Sequence, residues 1–148
     1  MYHYQMCGLP NVWLENGYEI HETEYGEAVS FHDIQGLHKA IGQAIIHNES
    51  MLNAAEIKFL RGNMRLSQVQ LANLLGVSDS SIRAWENQRT EIPAPADRLL
   101  RALYNEQAFG DGGVKQMIEA INLLARNAHQ EKINLIEENG HWREVQVA

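Results

Sequence analysis

Residues 66–86, Leu-Ser-Gln-Val-Gln-Leu-Ala-Asn-Leu-Leu-Gly-Val-Ser-Asp-Ser-Ser-Ile-Arg-Ala-Trp-Glu, constrain this 148-residue chain more than any other stretch. Ser67, with Gln70 three residues later, spells a capping box that starts a helix at a defined place. Leu71, Ala72 and Leu75 then fall on one face of that helix. Gly76 supplies a left-handed turn that a Cβ-bearing residue resists. Ser78 is placed to cap a second helix, which buries Ile82 and Trp85 at i, i+3 and leaves Asp79, Ser80, Arg83 and Ala84 facing outward.

Two short helices joined by a glycine-containing turn make a helix-turn-helix, whose second helix fits the DNA major groove. The order Leu-Ser-Gln, Leu-Ala, Gly-Val-Ser, Ile, Trp-Glu resembles the helix-turn-helix of the phage-repressor (Xre) family, over about residues 54–107. The resemblance implies a mainly α (α+β) protein with a five-helix, lambda-repressor-like DNA-binding domain, here residues 53–108. In that arrangement the first helix crosses the phosphate backbone and the second enters the groove. Gln68 matches a family position that binds phosphate, and Asn87 and Arg89 follow the second helix where further backbone contacts are made.

The outward residues of the second helix are the candidate base readers. Arg83 can grip guanine O6 and N7 with two donors, Ser80 can donate or accept, and Ala84 offers a methyl surface to thymine. Asp79 either accepts from cytosine N4 or helps to start the helix. The resemblance also implies an ion pair between Arg61 and Glu86, clamping the reader to the preceding helix. It departs from the family at Gln88, where glycine is common, so the exit from the second helix is expected to differ.

Charge is distributed unevenly. The formal net charge is −7, but residues 1–52 carry −6, residues 53–107 carry +1 and residues 108–148 carry −2. DNA affinity comes largely from neutralised phosphates. A weakly basic reader between acidic flanks should therefore bind salt-sensitively and in two copies, and the flanks suit a basic protein partner. No apolar run approaches the ~20 residues of a membrane span. The N-terminus shows no secretory signal, and Cys7 is the single cysteine, so a reducing cytoplasm is the expected location.

On either side of the reader the chain suggests small additional units. Residues 1–50 read as an acidic module of strands at 11–14, 18–23 and 28–31, with turns at Asn16-Gly17 and Tyr25-Gly26. A helix capped by Asp33 then runs to about His47, with Ile34, Leu37, Ile41 and Ile45 on one stripe. Gly36 and Gly42 cost that helix ~1 kcal/mol each relative to alanine, so it depends on packing. Asn53 caps the next helix, whose inner face is Ile57, Leu60 and Met64, and Pro95 opens one over 95–107. Residues 113–148 read as a helix with apolar positions from Val114 to Ala128, then a hairpin of 132–137 and 141–147 about Asn139-Gly140. The helix suits either packing on its own domain or dimerisation.

Enzyme signatures are missing: no glycine-rich phosphate loop follows a strand, and no Gly-x-Ser-x-Gly elbow occurs. Seven histidines are scattered and the thiol is single, so neither a metal nor another cofactor is expected. Trp85 is expected in the core, and Trp13 and Trp142 packed under sheets. A reader preceded by an acidic module resembles the organisation of MqsA-type and HigA-type antitoxins, without the Cys-x-x-Cys zinc site of the former. The expectation is a homodimeric repressor of a near-palindromic operator, non-enzymatic, serving as an autoregulating antitoxin that covers a small basic toxin. The alternative is an ordinary repressor whose residues 1–50 dimerise or sense a ligand.

Overall fold

A computed structural model describes residues 1–110, 112–123 and 133–145. Two strands, β1 (Tyr2–His3) and β2 (Trp13–Leu14), are followed by the hairpin β3 (Tyr18–Thr23) and β4 (Gly26–Phe31). Helices α1 (Ile34–Ile46), α2 (Ala54–Asn63), α3 (Gln68–Leu75), α4 (Asp79–Glu86), α5 (Ala94–Phe109) and α6 (Gly113–Leu123) come next, then a last hairpin, β5 (Leu135–Glu138) and β6 (His141–Glu144).

Five helices, α1 to α5, share one core. With Tyr4 of the N-terminal segment, Ile57, Leu60, Leu71, Ile82, Leu100 and Tyr104 are its most deeply buried side chains, and Ile41, Ile45 and Ile46 of α1 lie in the same cluster. The stripe expected on α1 is buried only at its C-terminal end, since Ile34 is 40% exposed. Gly42 is buried because α1 crosses α5 closely: a Cβ there would lie 2.0 Å from the Tyr104 hydroxyl oxygen. That hydroxyl is held in turn by the Asn63 amide, which donates to it at 2.7 Å. Leu74, not the expected Leu75, completes the buried face of α3 with Leu71 and Ala72, because α3 packs against α5 and α6 as well as α4.

Three expectations for the strands and one for α5 are corrected. Asn16-Gly17 does not join a hairpin: β2 pairs with β1 through Tyr2–Leu14 and His3–Trp13, and β3 pairs with β4 across a Glu24-Tyr25 turn. Long-range aromatic packing overrides the local turn signal. Tyr2 meets Tyr18 and Phe31 at centroid distances of 5.2 and 5.6 Å, and Tyr4 meets Phe31 at 5.0 Å. The Tyr4 hydroxyl then bonds His38 Nε2 at 2.8 Å, fastening the N-terminal segment to α1. Trp13 is 55% exposed, stacked on the His3 ring, and Trp142 is 70% exposed, so neither lies under a sheet. Both belong to two-stranded ribbons, which bury little on either face. Helix α5 begins one residue early, at Ala94 after Pro93, which leaves Pro95 in the first turn where a missing N–H costs nothing.

The α1–α2 connection is tied down from α5. Asp97 is 3% exposed, and its carboxylate accepts from Leu52 N and from Arg101 Nε, both at 2.8 Å. Arg101 also donates to the carbonyls of Ile46, Asn48 and Ser50. Beyond α5, Glu106 accepts from Val114 N at 2.7 Å at the start of α6, whose Val114 and Ile118 pack on the core. The positions expected to continue this stripe, Leu124, Ala125 and Ala128, lie outside the described residues. So do the expected strand ends at Lys132 and at 146–147. In β5–β6, Asn139 and Gly140 both have positive φ, the geometry of the hairpin turn that Asn-Gly favours, and every strand residue is exposed.

Two substitutions check this account. Asp97→Ala is expected to cost about 3 kcal/mol in urea unfolding, because it strands the Leu52 N–H and the Arg101 guanidinium. Gly42→Ala, although favourable for an isolated helix, should lower the melting temperature by forcing α1 off Tyr104.

Candidate nucleic-acid interface

The local signals of residues 66–86 operate as physical chemistry requires. Ser67 Oγ accepts from Gln70 N at 3.0 Å while Gln70 Oε1 accepts from Ser67 N at 2.9 Å, satisfying two donors at the start of α3. Gly76 takes φ 70° and turns the chain, and Val77 N bonds back to Ala72 O at 3.0 Å. Ser78 accepts from Ser81 N and starts α4. With Ile82 wholly buried and Trp85 5% exposed, the rotation of α4 about its axis is set, and Ser80 and Arg83 project into solvent. Asp79 and Ala84 are half-buried on the same side.

Arg61 and Glu86 come together in a bidentate pair. Arg61 Nε and Nη2 donate to Glu86 Oε2 and Oε1 at 2.7 and 2.8 Å, with the carboxylate side chain only 4% exposed. Arg61 Nη1 donates to Leu66 O at 3.0 Å and Gln68 Nε2 to Glu86 Oε1 at 3.3 Å. One guanidinium and one carboxylate thereby join α2, the turn before α3, the first residue of α3 and the last of α4. The hydrogen bond to Glu86 raises the Arg61 pKa above its ordinary value against the opposing effect of burial. Gln68, expected at a phosphate, is therefore half-buried at the edge of this clamp, with one amide hydrogen directed to Glu86.

The remaining candidates lie apart from this clamp, on and just beyond the solvent side of α4. Arg83 Nη1 donates to Asp79 Oδ2 at 2.7 Å and Nη2 to Ser80 Oγ at 3.3 Å. The Arg83 hydrogen bond holds the Asp79 carboxyl below the usual carboxylate range, so the pair survives mild acid and is lost only as pH falls through that lowered value. Asn87 and Arg89 are exposed just beyond α4 and share no hydrogen bond with the clamp. Arg89 N bonds Ala84 O at 2.9 Å, closing the helix.

Gln88 stands where the sequence departs from the family pattern. It adopts φ 61°, a left-handed conformation without glycine, and Arg65 does the same at φ 58° between α2 and α3. Sequence reasoning also missed the Leu66 carbonyl in the clamp and the Asp97–Arg101 brace. The second was legible as an acid–base pair four residues apart on one helix; the first is a backbone atom with no sequence signature. Among the described residues no three His, Cys, Asp or Glu side chains cluster as metal ligands, and no helix there is long and apolar enough to cross a membrane.

Comparison with known families agrees with this geometry. Residues 57–96 match a family model described as helix-turn-helix. No curated protein and no solved structure matches the chain. The match, confined to residues 57–96, supports an Xre-type helix-turn-helix domain there, and with it a DNA-binding transcription regulator.

Glu86→Ala should cost about 3 kcal/mol, since it leaves Arg61 charged and unpaired. It is expected to lower the melting temperature rather than merely shift sequence preference. Gln88→Gly should instead stabilise by about 1 kcal/mol by removing left-handed strain, read as a higher urea midpoint with unchanged m-value.

Proposed function

We propose that this chain is a cytoplasmic, sequence-specific transcriptional repressor that binds double-stranded DNA as a homodimer. The observation carrying the proposal is α4 itself: one face is locked by Ile82, Trp85 and Glu86, and the other offers Ser80 and Arg83 to solvent. In this reading α4 enters the major groove. Arg83 reads guanine with its orientation set by Asp79, Ser80 and Ala84 complete the base contacts, and Gln68, Asn87 and Arg89 meet phosphates. Two copies place their reading helices ~34 Å apart, on a near-palindromic operator.

We further propose that the regulator is the autoregulating antitoxin of a toxin–antitoxin pair. What supports this reading is charge: residues 1–52 hold one Lys or Arg against seven acids, and the exposed β3–β4 hairpin carries Glu19, Glu22 and Glu27. Such a surface suits a small basic toxin. Recovery of no small basic protein with the chain from its native host, and none encoded beside it, would remove the antitoxin assignment and leave the repressor.

Arg83→Ala should relax discrimination at one base pair by about 1–3 kcal/mol, measured by fluorescence anisotropy on a panel of operator variants. Arg89→Ala should weaken all sequences alike and lower the slope of log K against log salt by about one. Operator affinity indifferent to both Ser80→Ala and Arg83→Ala would sink the repressor reading.

A further inference from the structure

We propose that the cleft between the Met6–Gly8 turn, the start of α1 and the outer face of α2 binds a small organic anion, one bearing a phosphate or carboxylate beside an apolar group. The cleft is open to solvent and offers about 860 Å³, within the ~300–1,000 Å³ typical of small-molecule sites. Its charged lining is cationic, beside the neutral amides of Gln35 and Asn63. Lys39, Lys58 and Arg65 all border it, His38 lies among them, and no carboxylate lines it. This is notable in a chain of net charge −7 whose first 52 residues contain Lys39 as their single Lys or Arg.

These cations have no charged partner among the described residues. Among the described Lys and Arg side chains, Arg61, Arg83, Arg101, Lys115 and Arg143 form ion pairs. Lys39, Lys58, Arg65, Arg89 and Arg98 form none, and the first three of these share this cleft. Among the described residues, the Phe109 ring stands near one of the three, its centroid 5.9 Å from Lys39 Nζ. Three like charges brought to one concavity repel one another, and a bound anion relieves that repulsion.

The remaining lining supplies an apolar wall and an open floor. Met6 is 74% exposed, Ile34 is 40% exposed against the expected inward stripe of α1, and Phe59 closes the back. Gly62 lies on the cleft face of α2, with no left-handed φ and no atom within 4 Å of where a Cβ would stand. Neither backbone conformation nor packing demands glycine there, and alanine would favour the helix by up to about 1 kcal/mol. Its consequence is an unobstructed cleft. A ligand here would bridge α1 and the N-terminal segment to α2, the helix that carries Arg61 to the recognition helix. The cleft includes no residue of α3 or α4, so its occupancy is separate from the DNA-reading proposal.

Titration of the full chain with phenyl phosphate and with benzoate, followed by two-dimensional NMR, tests the site, with benzyl alcohol as the uncharged control. Saturable shifts centred on residues 6–8, 34–39 and 55–65 are expected, with the tighter of the two anions identifying the head group. Lys39→Ala and Lys58→Ala should each weaken that anion about tenfold, the effect of losing one charge-assisted hydrogen bond. Gly62→Leu should abolish binding while leaving the melting temperature unchanged or raised. The proposal is overturned by absence of saturation at millimolar anion, by equal binding of benzyl alcohol, or by retained binding in Gly62→Leu. It is also overturned if Lys58→Ala weakens DNA binding and its salt dependence while anion binding is unaltered, which would assign these cations to the DNA backbone.

Discussion

The orientation of α4 depends on one guanidinium–carboxylate pair. Arg61 and Glu86 are 25 residues apart, and their side chains are nearly removed from water. Desolvating two charges is costly, and the cost is met here by two-pronged geometry and by further bonds to Leu66 O and from Gln68. A hydrophobic contact in the same place would hold α4 against α2 but leave its rotation less defined. The paired charges fix both position and angle, because the planar guanidinium donates two parallel hydrogen bonds to the carboxylate in one orientation.

Around that clamp the chain tolerates backbone strain. Arg65 precedes the capped start of α3 and Gln88 follows the end of α4, both with left-handed φ. Strained residues persist where the surroundings over-determine them, and these two flank the ends that the clamp draws together. A second polar tether plays a similar part at the other end of the core, where Asp97 and Arg101 collect the carbonyls and the amide of the 46–52 connection. Between them lies an ordinary apolar interior built on Ile57, Leu60, Leu71, Ile82 and Leu100.

What was legible in the sequence followed the range of the interaction. Ser67, Gln70, Gly76, Ser78 and Asn53 announce their caps and turns because the partner atoms lie within a few residues. Ile82 and Trp85 announce burial through helical spacing. The pairing of β2 with β1 was not legible, since it depends on Tyr2 and Tyr4 reaching Phe31 and His38 far along the chain. Asn16-Gly17 and Asn139-Gly140 look alike as dipeptides, yet only the second makes a hairpin turn; tertiary contacts decided between them. In the candidate site, side-chain chemistry pointed to Arg83, and the family resemblance to the pairing of Arg61 with Glu86. The contacts of Gln68 with Glu86 and of Arg83 with Asp79 required coordinates, because each residue has several reachable partners.

The unequal burial of the three tryptophans has a practical consequence. Trp85 is sealed with Ile82 in the core shared by α1 to α5, whereas Trp13 and Trp142 sit in open ribbons near opposite ends of the chain. An indole in a dry pocket emits toward the blue and resists aqueous quenchers, while one in water emits toward the red and is quenched readily. The molecule therefore contains its own optical labels: iodide silences the two ribbons, and the light that remains reports on the helix that faces outward.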